Sequence, residues 1–449
     1  MIDWAQTLPH PLLAARASRG GAPAIVADDG EWTYERLVQA VRARAAGLQA
    51  LGVRPDQRIA WTLRQLGDDL VTLHAIGWLG ACAAPIARDS RDPERDAEHL
   101  GADHFLTSAP DGEPEDAPPA SPWPLSQPRW VVATSGTTGT PKVIELTTGQ
   151  LVFSAMGSAM RLGHLPGDRW LGVLPLHHVG GLSIVMRCLL SASTVELHAR
   201  FEVDRVVEAL CSGRVTQISL VPTMLDRIVP RLPQRGASDR LRVVLVGGAK
   251  PGQALLEAAL AKGLPVAATW GMSETASQAA TLEPGVAPTS APPLPFLEVL
   301  CEAERLVVRG PAAAGTVLTN DRGAVDGLGR VRVDGRLDQT IISGGENIDP
   351  EAIAAVLRQH PDVLRAYVVG VPDSVYGERP AAALIAGGDR QPSAQELRAF
   401  CRESLPRYMV PDRILWLSAE PVNALGKIRF ADLKEWLRRV ERSEDDGEP

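Results

Sequence analysis

Across the first two-thirds of this sequence, short runs of β-branched and apolar residues alternate with amphipathic stretches of helical period. This rhythm restricts the fold most, because strand-then-helix repetition is the pattern of βα units, whose strands assemble into mostly parallel sheets. Thr33-Tyr34-Glu35-Arg36 opens one such helix: Leu37, Val41 and Leu48 share its apolar face, Gly52 ends it, and Arg58-Ile59-Ala60-Trp61 resumes as strand. Residues 130–133, 170–174, 217–221, 243–246 and 266–269 read as further strands, each followed by Gly, Pro or polar residues.

The chain has 449 residues, more than the roughly 250–300 at which one hydrophobic core stops growing, so more than one domain is expected. Residues 109–128, rich in Pro, Ala, Ser and acids, read as an exposed connector. A second Pro-rich shift over residues 283–295 leads into short strands at 306–308, 316–319 and 331–333, a small β subdomain. After Gly335-Arg336-Leu337-Asp338 the pattern restarts as an α+β unit. There Asp349 caps a helix with Pro350 at its first position, and Ser393 and Glu396 make a capping-box pair ahead of Leu397, Phe400 and Cys401. The expected class is therefore α/β, with a large N-terminal domain (1–337) of mostly parallel βα sheets plus the β subdomain, and a small α+β C-terminal domain (338–449). Residues 443–449 form an acidic, solvated tail.

A net charge of −8 disfavours non-specific nucleic-acid binding. The start lacks a basic and apolar leader pattern, and no run of about 18 apolar residues occurs, so a cytoplasmic protein without membrane insertion is expected. Cys82, Cys188, Cys211, Cys301 and Cys401 are scattered and without CxxC spacing, which reads as reduced packing residues, neither a disulfide framework nor a zinc site.

The most specific string follows the strand at 130–133: Thr134-Ser135-Gly136-Thr137-Thr138-Gly139-Thr140-Pro141-Lys142. Hydroxyls interleaved with glycine present backbone N–H groups and side-chain O–H groups to an anion, and Lys142 adds a point charge, so this is a phosphate-binding composition. The Walker spacing is absent, which disfavours P-loop NTPase machinery.

This loop resembles the signature of the adenylate-forming superfamily of acyl-CoA ligases, adenylation domains and luciferases. Three further segments are similar in order and spacing: Trp270-Gly271-Met272-Ser273-Glu274-Thr275; Gly335-Arg336-Leu337-Asp338 followed by Ile342-Ser343-Gly344-Gly345-Glu346-Asn347; and Pro421-Val422-Asn423-Ala424-Leu425-Gly426-Lys427. The resemblance implies ATP, Mg2+ and coenzyme A as cofactors and co-substrates. It implies Glu274 as metal ligand, Thr134 to Gly139 with Trp270, Gly271 and Ser273 around the nucleotide, and Asp321 and Arg336 on the ribose. It further implies Asp338 as hinge of a mobile C-terminal lid, Gly344 and Gly345 near the nucleotide and thiol tunnel, and Lys427 as catalytic lysine. In-line attack of a carboxylate on the α-phosphate brings two anions together, so Lys142, Lys427 and a metal on Glu274 supply the compensating charge. Alone, Glu274 reads as an ordinary acid and Lys427 as a solvated lysine; their ordered occurrence together changes that reading. The sequence departs from the family at Asn320, where Gly precedes the acid, at Trp270, where Tyr is usual, and in the shortened β subdomain.

Within the superfamily, Leu174-Pro175-Leu176-His177-His178-Val179-Gly180-Gly181-Leu182-Ser183 and Gln217-Ile218-Ser219-Leu220-Val221-Pro222-Thr223 resemble o-succinylbenzoate:CoA ligases of menaquinone biosynthesis. His178 matches the histidine of the acyl-pocket wall, and His177 stands where relatives have Phe. Arg187 lies in an apolar stretch, where a charge is rarely buried without a partner; a substrate with a second carboxylate would provide one. Otherwise Arg187 extends to the surface or pairs with a protein acid. The expected partners are a small carboxylic acid, o-succinylbenzoate, and CoA, with a homo-oligomer compatible with the chain. The competing readings are another aryl or fatty acyl-CoA ligase, a free-standing enzyme loading a carrier protein, and a degenerate nucleotide-binding regulator.

Overall fold

The computed structural model describes residues 6–134, 141–286, 290–422 and 428–440. The chain divides into two compact units: one holds residues 1–300, 307–318 and 325–332, the other residues 301–306, 319–324 and 333–449.

The first unit is α/β. One eight-stranded sheet runs in the order Ala280–Thr281, Val266–Trp270, Val243–Val246, Gln217–Leu220, Arg169–Gly172, Thr194–Leu197, Pro23–Ala27, Gly30–Thr33. Its inner pairs are parallel and its two edge pairs antiparallel. A five-stranded sheet runs His104–Leu106, Arg58–Thr62, Cys82–Ile86, Pro128–Thr134, Lys142–Thr147, parallel except for the last pair. Parallel strands buried on both faces need near-continuous apolar sequence; accordingly all four residues of Val243–Val246 and all five of Cys82–Ile86 are buried. The helix Tyr34–Ala50 is capped by Thr33, whose hydroxyl accepts from Arg36 N, and it buries Leu37, Val41 and Leu48.

In the second unit, strands run Glu346–Ile348, Ile341–Ser343, Gly377–Ala386, Val363–Asp373, with Arg413–Trp416 pairing on Gly377–Ala386. Asp349 caps Pro350–Leu357 as its sequence indicates. At Ala394–Arg402 only half of the expected capping box forms: Ser393 accepts from Glu396 N, while the Glu396 carboxylate accepts from Arg390. A four-stranded sheet runs Glu298–Glu302, Arg305–Arg309, Val317–Val325, Val331–Arg336.

Residues 109–128 are not the exposed connector their composition suggests. They contain the short strand Trp123–Pro124, with Trp123 buried, and they lie along the helix Tyr34–Ala50. There Asp111 accepts from Arg44 Nε at 2.6 Å, and a Cβ on Gly47 would stand 2.1 Å from Pro110 O. Close backbone approach at a glycine replaced the apolar surface the segment lacks. The cysteines are unpaired as expected, although Cys301 is exposed, its Sγ donating to Gly323 O at 3.3 Å. Among the described residues no helix is long and apolar enough to cross a membrane.

Candidate active site

Strands Pro128–Thr134 and Lys142–Thr147 form an antiparallel pair with Thr134 opposite Lys142, so the Gly/Thr/Ser string joins two adjacent strand ends. Ser135, Gly136, Thr137, Thr138 and Gly139 lie outside the described residues. The Thr134 hydroxyl donates to Lys142 O at 3.2 Å. Lys142 Nζ donates to Glu274 Oε1 at 2.8 Å, with the lysine side chain 63% exposed and the glutamate 24%. Two residues 132 apart in sequence are thus brought together at a solvent-accessible point.

Glu274 sits in the 3-10 turn Ser273–Thr275 just past the strand Val266–Trp270. The Thr275 hydroxyl accepts from Met272 N and donates to Met272 O, closing the turn. The chain then passes through two positive-φ residues, Ala276 (φ 50°) and Ser277 (φ 115°), conformations that cost a non-glycine residue energy and are held here by tertiary contacts. One is the Ser154 hydroxyl donating to Ala276 O at 3.0 Å. Another is Gly271, where a Cβ would stand 1.9 Å from Ser277 O, so no other residue fits.

His178, expected at the acyl pocket, is the N-cap of the helix Val179–Ser191. A Cβ on Gly181 would meet Pro175 O at 2.4 Å, which brings the helix start against the preceding loop. Gln65, itself at φ 62°, pins that loop: its Nε2 donates to Leu174 O at 2.9 Å and its Oε1 accepts from Leu176 N at 3.0 Å. The His177 and His178 rings stand 4.0 Å apart, and burial pushes His177 down to about 4, so it is neutral at pH 7.

Arg187 on the same helix is 2% exposed. Its guanidinium lies over the Trp170 ring at 5.1 Å, and Nη2 donates to Ser277 Oγ at 3.2 Å, while Nε has no partner. Burial pushes its pKa down to about 10. It neither reaches the surface nor pairs with an acid among the described residues.

In the second unit, Arg336 donates to both Asp338 oxygens, at 2.8 and 2.7 Å, and lies 3.6 Å from Asp321. This fork holds the Asp338 carboxyl below its usual range, with a hydrogen bond from Asn320 adding to the effect. Gly344 (φ 59°) and Gly345 (φ 89°) make the two-residue turn between Ile341–Ser343 and Glu346–Ile348, where two successive positive φ angles match a type I′ hairpin. Lys427 lies outside the described residues; Val422 and Ile428 beside it form an antiparallel bridge.

A magnesium ion suits this arrangement. Mg2+ is commonly held by one or two carboxylates plus substrate phosphates and waters, not by an all-protein cage. Glu274 is such a single carboxylate beside a cation, and the described residues contain no cluster of three or more potential ligands.

Two contacts escaped the sequence reading. Gln65 carried no signal, since a glutamine between strand and helix is ordinary. Ser277 follows the Glu274 turn and could have been found by continuing that motif.

The profile of the AMP-binding enzyme family matches residues 13–100 and 90–327, and that of the AMP-binding enzyme C-terminal domain matches residues 352–427. The chain is 34% identical over 462 residues to a 2-succinylbenzoate–CoA ligase of Geobacillus kaustophilus, covering 92% of this chain and 94% of the relative. Among solved structures it is similar to the o-succinylbenzoate coenzyme A synthetase of Bacillus subtilis in complex with ATP and magnesium ion. That likeness has a TM-score of 0.86 at 30% identity and covers 96% of this chain and 100% of the other. The same Bacillus subtilis enzyme in complex with its acyl-adenylate intermediate gives a TM-score of 0.83 at 29% identity, covering 98% and 99%.

Proposed function

The chain belongs to the AMP-binding enzyme family, and from that premise we propose that it activates o-succinylbenzoate with ATP and transfers the acyl group to coenzyme A. The relatives of the same printed activity cover nearly the whole chain, and the solved relative binds ATP and magnesium ion. The observation that carries the choice of acid is Arg187, a fully buried guanidinium whose protein contacts are a neutral hydroxyl and an aromatic face. An uncompensated buried charge is costly. A substrate with a second carboxylate removes that cost, and o-succinylbenzoate has one at the end remote from the reacting acid.

In the first half-reaction an oxygen of the aliphatic carboxylate attacks the α-phosphorus. The bond from that phosphorus to the bridging oxygen breaks, and pyrophosphate leaves with the electron pair. Lys142 lowers the charge repulsion on the phosphate side, and the Thr134 loop holds the phosphate oxygens through N–H and O–H donors. Magnesium bound at Glu274 supplies further neutralisation of the leaving pyrophosphate. Lys427 stabilises the approach of the two anions, and Asp321 and Arg336 hold the ribose. In the second half-reaction the coenzyme A thiol loses its proton to solvent and its sulfur attacks the acyl carbon; the bond from that carbon to the phosphate oxygen breaks, and AMP departs with the electron pair. Asp338 is the hinge between residues 1–337 and 338–449 as domains, and Gly344 and Gly345 line the path of the thiol.

Purified enzyme, ATP and CoA are to be assayed with o-succinylbenzoate and with the analogue lacking its aromatic carboxylate. Strong preference for the diacid, with thioester formed on free CoA, is expected. Equal turnover of both acids excludes this substrate, and adenylate formation without transfer to CoA favours a carrier-protein acceptor.

A further inference from the structure

Among the described residues, a second buried arginine, on strand Pro128–Thr134, has no acid within ion-pair distance. Arg129 is 2% exposed. Its Nε donates to Thr148 Oγ1 at 3.0 Å and its Nη2 to Gln127 Oε1 at 2.6 Å and Pro122 O at 3.3 Å, all neutral acceptors. Asp56 is reached only through Gln127, whose Nε2 donates to it at 2.5 Å. Arg129 Nη1 has no partner.

Beside it lies a small cavity of ≈ 20 Å³, lined by Arg129, Trp123, His74, Leu73, Met186 and Leu189 among others. The indole of Trp123, under the Arg129 guanidinium at 4.8 Å, is 5% exposed, and its Nε1 is also without a partner. The His10 ring packs on the Trp123 ring at 5.2 Å. His10 Nδ1 accepts from Leu12 N, so the neutral ring carries its proton on Nε2, a third buried donor with no acceptor. His10 and His74 are neutral because burial pushes them down to about 3 and about 4. Burial likewise pushes Arg129 down to about 10.

Two side chains with unpartnered donors line one cavity, a third such side chain packs on Trp123, and the Arg129 charge is positive; together these select the occupant. The cavity has room for one small species. A water molecule needs acceptors for its own two hydrogens, and the lining side chains offer one nitrogen acceptor, on His74. A monatomic anion accepts from every donor and cancels the guanidinium charge. We infer that this cavity binds one halide ion of the size of chloride, held by Arg129 Nη1 and Trp123 Nε1. Met186 and Leu189, which line the cavity, and Arg187 lie on one helix, so the ion buttresses the helix that carries the acyl-side arginine.

Wild-type crystals grown with bromide in place of chloride, measured at the bromine absorption edge, test this directly. An anomalous peak in the cavity between Arg129 and Trp123 is expected; ordinary water density with no anomalous signal overturns the inference. Thermal unfolding at constant ionic strength, with chloride exchanged against gluconate, is the solution counterpart. Wild type is expected to gain about 2–4 °C in a saturable manner, and Trp123→Phe and Arg129→Gln to lose that gain. The same gain in wild type and both variants marks a general salt effect and overturns the site. Should Arg129→Gln fail to fold, Trp123→Phe, which keeps the aromatic packing and removes only a donor, decides.

Discussion

Arg187 and Arg336 are one residue type in opposite circumstances. Arg187 is 2% exposed and touches a hydroxyl and a tryptophan face. The Arg336 side chain is 42% exposed and engages two carboxylates, Asp338 and Asp321. In the first case the low-dielectric surroundings magnify the attraction to an anion, because no acid among the described residues compensates the charge. In the second, water and neighbouring acids already share the charge, so a ligand gains only the difference. That contrast supports the proposed role of the buried arginine in choosing the acid and gives the exposed one no comparable selectivity.

Substitutions in the two regions are expected to separate along the same line. The largest effect belongs to Lys427→Ala in the C-terminal region, which should slow acid-dependent pyrophosphate exchange about 10²–10³-fold. It should leave conversion of supplied acyl-adenylate and CoA near the wild-type rate; equal loss in both assays removes the lysine from adenylation. Next, Arg187→Leu should erase a preference for the diacid over the monoacid of roughly 10–150-fold, matching about 1.5–3 kcal/mol for a charge-assisted hydrogen bond. The monoacid should still react. A mutant that keeps the full preference would show that another group holds the second carboxylate.

Asp338→Pro fixes φ at the proposed hinge and removes an acceptor of the Arg336 fork. Thioester formation should fall about tenfold, on the scale of a hindered conformational step, with pyrophosphate exchange largely retained and acid preference unchanged; the reverse pattern refutes the hinge. The smallest effect is expected for Ser277→Ala, which removes the hydroxyl that accepts from Arg187. A loss of one hydrogen bond, about 0.5–1.5 kcal/mol, corresponds to roughly 2–12-fold in diacid kcat/KM. Unchanged diacid kinetics would mean that Trp170 alone orients the guanidinium.

Much of the molecule was legible because its signals are local. Thr33 caps its helix and Asp349 with Pro350 starts another, since a cap needs only neighbours within one turn. The strand rhythm located Val243–Val246 to the residue. Where sequence reading fell short, distant groups intervened. Strand Val317–Val325 extends well past residues 316–319, because polar Asn320, Asp321 and Arg322 hide the strand pattern and are satisfied by the sheet, by Asp349 and by the Arg336 cluster. Residues 109–128 acquired order from Gly47 and Arg44 on a helix formed much earlier in the chain.

The sequence by itself determined the α/β class and pointed to phosphate-binding chemistry at residues 134–142, because hydroxyls, glycines and a lysine in contiguous order carry their own donors wherever the chain places them. It also supplied Glu274 and Arg187 as candidates. Only the tertiary structure decided their states. Glu274 acquires a cation because Lys142, 132 residues away, ends on the next strand. Among the described residues Arg187 goes without an acid, because Trp170 and Ser277 surround it. Whether a charge is compensated depends on what folds against it, and that is a property of packing in space, not of order along the chain.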